Sequence, residues 1–155
     1  MKTLSIYIAT YNRKEILKNK IDKILEINSN DFDVWVLDDC SDDGTSEMLS
    51  GVADKRLHCI QNKERIGIKK DGAMPNWYKL LEVCDGRFSL HLNDRDVLYT
   101  EKLLDLIEFL KDHWDYSGGI CDSFSGIKYY DLPEEALLAI PYKASHPTGV
   151  IFRTD

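Results

Sequence analysis

Residues 34–45 read Val34-Trp35-Val36-Leu37-Asp38-Asp39-Cys40-Ser41-Asp42-Asp43-Gly44-Thr45, a short apolar run that ends abruptly in four carboxylates, two hydroxyls and a glycine. Val34 to Leu37 show no polar alternation, which predicts a strand of a parallel sheet covered on both faces. Asp38 and Asp39 then stand at its carboxyl end. Ligands of open α/β sheets bind outside the carboxyl ends of the strands, so these two carboxylates are placed to meet a ligand and, without one, to be solvated. Asp43-Gly44 predicts a turn, with Thr45 or Ser46 capping the next helix.

Before this block, Leu4 to Ala9 predict a buried strand closed by the polar loop Thr10-Tyr11-Asn12-Arg13. A helix follows from Lys14 to Glu26, where Ile16, Leu17, Ile21, Ile24 and Leu25 recur at three- and four-residue steps. After the block come a short helix, Ser46 to Leu49, and a strand, Leu57 to Gln61. The order β-α-β-α-β is that of a doubly wound half with right-handed crossovers. Asn62 to Pro75 carries four basic residues and no period, and reads as a functional loop. A helix from Asn76 to Val83 leads through Asp85-Gly86 into a strand, Phe88 to Leu92, that ends in Asn93-Asp94-Arg95-Asp96. Glu101 to Lys111 predict an amphipathic helix with Leu103, Leu104, Ile107 and Leu110 inward and Thr100 as its cap. Further strands are expected at Gly118 to Cys121 and Thr148 to Phe152, with irregular or weakly helical chain from Ser123 to Pro141.

A length of 155 residues fits one domain with a real core, and 43% apolar and 30% charged residues fit a globular one. The net charge of −7 argues against nucleic acid as the main partner, so an anionic ligand must be met by local basic groups. Cys40, Cys59, Cys84 and Cys121 form no CxxC pair, no His stands at zinc-finger spacing, and the first residues do not resemble a signal peptide. A reduced, cytoplasmic location is expected. Charges interrupt every apolar segment well short of the roughly 20 residues of a membrane span, which leaves peripheral contact with the inner face of the membrane open.

Two acidic clusters at the ends of two strands, with a basic loop between them, suit a nucleoside diphosphate bound through a divalent cation. Hard oxygen ligands favour Mn2+ or Mg2+, and Mg2+ takes only one or two carboxylates alongside substrate phosphates. Asp38 or Asp39 is equally suited to accept hydrogen bonds from a base N–H or a ribose hydroxyl. The absence of GxGxxG and GxxxxGK[ST] argues against a dinucleotide-binding dehydrogenase or a P-loop NTPase.

Four motifs in this order, Ile8-Ala9-Thr10-Tyr11-Asn12-Arg13, Leu37-Asp38-Asp39-Cys40-Ser41-Asp42-Asp43-Gly44-Thr45, Asp85-Gly86-Arg87-Phe88 and Leu92-Asn93-Asp94-Arg95-Asp96, carry a joint resemblance. The chain resembles the N-terminal, nucleotide-sugar-binding part of a family 2 glycosyltransferase of the GT-A fold, a Rossmann-like and mostly parallel sheet with helices on both faces. The resemblance implies transfer of a sugar from a nucleoside-diphosphate sugar, with a UDP-sugar favoured, to an acceptor hydroxyl with inversion. It also implies a glycan or lipid-linked acceptor in bacterial surface polysaccharide or lipopolysaccharide synthesis.

Position by position, the resemblance places Thr10, Tyr11, Asn12 and Arg13 against the nucleotide, Asp38 or Asp39 on the base, and Arg65 and Lys69 on the base or diphosphate. Asp94 and Asp96 fall in its D-x-D region as metal ligands. The family commonly shows L-D-x-D-D there. Asn93 and Arg95 stand at its first and second aspartates, so Arg95 is a direct candidate for phosphate charge. The residues from His146 to Arg153 resemble the start of the acceptor-binding half, and the catalytic base is expected beyond Asp155. Two alternatives stay open: a catalytically silent nucleotide-sugar-binding module, and a nucleotidyltransferase. The latter usually has a glycine-rich basic loop after its first strand, and residues 10–13 hold no glycine.

Overall fold

In the computed structural model, strand β1 (Leu4–Thr10) lies parallel to β2 (Phe32–Asp38), with Leu4 opposite Phe32 and Thr10 opposite Asp38. Residues 1–67, 74–83, 85–94, 97–98, 100–113, 118–119, 142–143 and 150–153 are described. β3 (Leu57–Gln61) extends the parallel array beyond β2, and β4 (Phe88–Asn93) extends it on the far side of β1. A two-stranded antiparallel pair joins β5 (Val97–Leu98) to β7 (Tyr142–Lys143). β6 (Gly118–Gly119) and β8 (Val150–Arg153) add to the main sheet antiparallel, giving the order β3-β2-β1-β4-β8-β6. The expected strand partners are thus found over 118–119 and 150–153, while 120–141 lie outside the described residues.

Alternation along β1 explains the two cores. Leu4, Ile6 and Ile8, with Val34, Val36, Leu90 and Leu92, face helices α1 (Lys14–Leu25), α2 (Thr45–Ser50) and α4 (Leu103–Asp112). Tyr7 and Leu37 face the opposite way onto Leu80 of helix α3 (Met74–Val83). Burying each of Leu17, Ile21 and Ile24 contributes roughly 1.5–3 kcal/mol, which holds α1 on the sheet. A parallel sheet covered on both faces is what the unbroken apolar runs predicted.

Four details differ from the sequence expectation. The inward stripe of α1 is Leu17, Lys20, Ile21 and Ile24, while Ile16 is 46% exposed. In α4 the buried residues are Leu103, Leu106, Ile107, Phe109 and Leu110, and Leu104 faces out. Thr100 does not cap that helix: it opens a 3-10 turn, Thr100–Lys102, and the N-cap position falls to Lys102. Helix α3 also begins earlier than expected, at Met74, because Pro75 fits the first turn, where its missing N–H is no loss.

Arg56 closes the end of α1. Its guanidinium donates to the carbonyls of Leu25, Ile27 and Ser29, pairs with Asp54 at 2.8 Å and lies 4.9 Å over the Phe32 ring. At the foot of β4, Gly86 donates to Ser5 Oγ at 3.1 Å, and a Cβ there would sit 2.7 Å from the Ser5 backbone nitrogen. Only glycine permits that approach.

His91 of β4 is buried edge-on to Trp77 of α3, ring centroids 3.8 Å apart. Burial lowers its pKa from 6.5 to about 4. The folded state therefore binds a proton less readily than the unfolded chain. The contribution of His91 is full above pH 6.5 and is lost as pH falls towards 4, by roughly 3 kcal/mol at the lower limit. His91→Phe keeps the ring contact and should flatten that part of the profile in urea unfolding at pH 7 and pH 4.5. Equal losses in both proteins would place the acid sensitivity elsewhere.

Candidate functional site

The strand order turns around between β1 and β4, since the chain moves from β1 outward through β2 to β3 and then returns to the other side for β4. The carboxyl ends of β1, β2 and β4 therefore flank the crevice where such sheets bind ligands. Of the residues singled out in the sequence, Thr10, Tyr11, Asn12, Arg13, Asp38, Asp39, Arg65 and Asp94 are gathered on this rim, linked by the contacts below. Lys69, Arg95 and Asp96 lie outside the described residues.

Asp38 ends β2. Its Oδ1 accepts from the Ser41 backbone N–H at 3.1 Å and from the Ser41 hydroxyl, while its Oδ2 is buried without a partner among the described residues. Asp39 accepts from the Asn62 amide at 2.8 Å, the Ile66 N–H at 3.0 Å and the Gly67 N–H at 2.8 Å. Burial acts to raise the pKa of Asp39, but the donors Ile66, Asn62 and Gly67 outweigh it and hold the carboxyl below its usual value. Asn62 is further tied to Asn76 at 2.8 Å and to the Lys79 ammonium at 2.6 Å.

The two aspartates are 1% and 3% exposed, so the expectation that they are solvated is corrected. The reason lies in the segment after β3. The Asn62 N–H donates to the Asp38 carbonyl, and residues 62–67 then fold over Asp39, which becomes their anchor.

The remaining carboxylates of the block hold the loop after β1. Asn12, at φ 51°, donates from its side chain to Asp42 at 2.8 Å and accepts the Asp42 N–H at 3.0 Å. Its own backbone N–H donates to Ser41 Oγ at 2.9 Å. Asp43 accepts from the Lys14 N–H at 2.9 Å and the Thr45 N–H at 3.0 Å. Asp42 and Asp43 therefore serve the turn: the N-cap of α2 is Gly44 instead of Thr45 or Ser46, and Asp43 takes the Thr45 N–H from the position before it. Gly44 precedes α2 in the left-handed region at φ 82°. Cys40 adopts φ 65°, a conformation that costs a non-glycine residue of order 1 kcal/mol and is held here by the bonds on either side.

Across the crevice, Asp94 Oδ2 lies 3.4 Å from the Thr10 hydroxyl, which donates to it, and 3.8 Å from Arg13 Nε. Arg65 stacks on Tyr11, its guanidinium carbon 3.6 Å from the ring centroid. Lys20 of α1 is buried and donates to the carbonyl of Asn93, the last residue of β4. The rim thus combines recessed carboxylates with the cationic side chains of Arg13, Lys20, Arg65 and Lys79 among the described residues, and can take a planar group beside Tyr11 and an anion beside Arg13.

Sequence reasoning missed Lys20, Ser41, Asn76 and Lys79. Lys20 left a legible signal, since a lysine three residues after Leu17 and four before Ile24 falls on the inward stripe. Ser41 left one too, standing three residues after Asp38 in the same turn, whereas Asn76 and Lys79 left none, because their partner Asn62 lies 14 and 17 residues away. Among the described residues no group of three His, Cys, Asp or Glu side chains is placed to hold a metal ion, and no helix is long and apolar enough to cross a membrane. The His58 imidazole stacks on Trp35 instead.

Comparison with known proteins gives a consistent picture. A family model described as glycosyl transferase family 2 matches residues 5–150. The putative teichuronic acid biosynthesis glycosyltransferase TuaG of Bacillus subtilis (strain 168) is 26% identical over 111 residues, covering 70% of this chain and 42% of that protein. The UDP-Glc:alpha-D-GlcNAc-diphosphoundecaprenol beta-1,3-glucosyltransferase WfaP of Escherichia coli is 27% identical over 111 residues, covering 72% and 42%. The match thus spans less than half the length of these curated relatives.

Among solved structures, S. aureus TarS 1-349 in complex with UDP superposes with a TM-score of 0.71 at 22% identity over 99% of this chain and 47% of that one. The mannosyltransferase PcManGT of Pyrobaculum calidifontis, in complex with GDP-Man and Mn2+, gives 0.58 at 21% identity over 76% and 34%. The fold is GT-A.

Proposed function

The chain belongs to glycosyl transferase family 2, and from that premise we propose that it forms the donor-binding half of an enzyme that transfers sugar from a UDP-sugar to a hydroxyl of a glycan or lipid-linked acceptor in bacterial surface polysaccharide synthesis. One observation carries the reading: Asp38 is buried at the strand end with Oδ1 fixed by Ser41 and Oδ2 left without a partner among the described residues. A buried carboxylate oxygen without a donor is costly, and a base or ribose donor offered at this rim removes that cost. The UDP found with TarS and the UDP-Glc in the name of WfaP favour a uracil base.

In this reading the base lies beside Tyr11, from whose ring Arg65 must make room or on which it closes. Asp38 takes a hydrogen bond from base or ribose. Asp39 fixes residues 62–67 as the wall of the pocket, and Arg13 faces the diphosphate. Lys69 and Arg95, which the family resemblance also assigns to the donor, lie outside the described residues.

Asp94 supplies one hard oxygen donor at the crevice; the D-x-D resemblance adds Asp96, which lies outside the described residues, and two such donors would suit Mn2+ or Mg2+ completed by phosphate oxygens. A divalent ion there would stabilise charge on the departing diphosphate. The acceptor hydroxyl needs a carboxylate base, a role this reading gives to the acceptor-binding half. Cytoplasmic action at the inner face of a membrane follows from a lipid-linked acceptor.

Calorimetry with UDP, other nucleoside diphosphates and UDP-sugars tests the proposal, with binding of UDP the expected result. Asp38→Asn, which preserves shape and an acceptor for Ser41, should weaken UDP binding by about 1.5–3 kcal/mol while leaving the melting temperature nearly unchanged. If no nucleoside diphosphate binds the folded chain, the donor-site reading is wrong. If Asp38→Asn binds UDP normally, the base contact lies elsewhere.

A further inference from the structure

Arg13 immediately precedes α1 and Lys20 lies within it, and both reach the end of β4. Arg13 stands 3.8 Å from Asp94, and Lys20 donates to the carbonyl of Asn93 immediately before it. Helical side chains lean towards the helix N-terminus, which here is the strand-end rim, so the Lys20 stem rises through the core and delivers its ammonium just beneath the rim.

Lys20 is only 9% exposed and shares its stripe with Leu17, Ile21 and Ile24. An apolar residue would pack there without desolvating a charge, a cost of several kcal/mol in protein interiors. A carbonyl at a strand end does not require an ammonium as its donor. What the lysine adds at this point is a fixed positive charge of low exposure, whose field on a neighbouring anion is weakly screened.

We propose that Lys20 is a positioning residue for the donor diphosphate: its buried ammonium fixes the end of β4 and, with Arg13, supplies built-in positive charge to the phosphate side of the crevice. This rests on the UDP-binding reading above. Among the described residues at this end of β4, Arg13 and Lys20 bring two positive charges beside the single carboxylate of Asp94. Diphosphate affinity then depends less on an added divalent ion.

The test compares uridine, UMP and UDP by calorimetry on the 155-residue chain in EDTA and in Mn2+. In EDTA, UDP should bind the unmodified chain more tightly than uridine by on the order of tenfold, the built-in charge acting on phosphate alone. Lys20→Met retains the length of the stem without its charge. It should lose most of that tenfold difference in EDTA, keep uridine affinity, and gain more from Mn2+ than the unmodified chain does.

Uridine and UDP weakening together in Lys20→Met would mark a purely structural lysine and overturn the proposal. So would a variant that keeps the full UDP advantage. Should Lys20→Met fail to fold, the unmodified chain still decides: equal affinity for uridine and UDP in EDTA overturns the proposal, and the expected difference, abolished in Lys20→Gln, supports it. Failure of all three ligands to bind, with or without Mn2+, overturns the underlying donor-site reading and this inference with it.

Discussion

Arg56→Ala should lower stability by about 3 kcal/mol and leave unchanged the UDP binding proposed above. The Arg56 side chain is 10% exposed and is the donor for three carbonyls at the end of α1 and in the turn before β2, as well as the partner of Asp54. Truncation leaves those carbonyls short of a donor, leaves Asp54 without its guanidinium and removes the cation from the Phe32 ring. Pairing with Arg56 is the main cause that holds the Asp54 carboxyl below its usual pKa, so the interaction is coupled to folding.

For a chain of this size such a loss lowers the melting temperature by roughly 6–12 °C. Lysine restores charge without the planar fork, so Arg56→Lys should recover only part of the loss. The clasp lies at the amino end of β2, opposite the ligand crevice, and calorimetry should return the unmodified affinity. A melting temperature within about 2 °C of the original would show that the turn is held by other contacts.

Asp39→Ala combines a comparable loss of stability with a loss of nucleotide binding. The carboxylate accepts from Asn62, Ile66 and Gly67, and its removal leaves three donors to find other partners, a cost of about 3 kcal/mol if water reaches only part of the site. Residues 62–67 lose their anchor, and with them Arg65 leaves Tyr11. UDP affinity should fall more than about tenfold, because the pocket wall must be reordered on binding. Amide hydrogen exchange at Ile66 and Gly67 reads the cause directly: both should lose protection in Asp39→Ala and keep it in Asp38→Asn. Retained protection at both amides would remove Asp39 as the anchor.

Acid should reproduce part of this effect. The folded carboxyl of Asp39 lies below its ordinary value, so its contribution is complete above about pH 4 and is lost as pH falls through the lowered folded value. The unmodified chain should release Ile66 and Gly67 in that window, whereas Asp39→Ala should show no such step.

Most of the elements of the fold are legible in the sequence alone. The unbroken run Leu4 to Ala9, the run Val34 to Leu37 and the turn chemistry of Asp43-Gly44 are local properties: whether a run alternates, and which residue tolerates φ 82°, can be read without knowing what packs nearby. Placing carboxylates at strand ends follows from the same reading, and the order of four motifs identified the family.

Which of those carboxylates keeps an unpartnered oxygen and which holds the protein together is settled by the tertiary structure. Asp38 and Asp39 are adjacent and alike in sequence. One keeps a buried oxygen without a partner among the described residues, and the other is consumed by donors 23, 27 and 28 residues away. The inward turn of Lys20 in place of Ile16, the outward turn of Leu104 and the clasp by Arg56 have the same origin. Burial and the choice of hydrogen-bond partner are set by the surface that arrives from a distant part of the chain, and a buried polar group must then take whichever partners that surface brings.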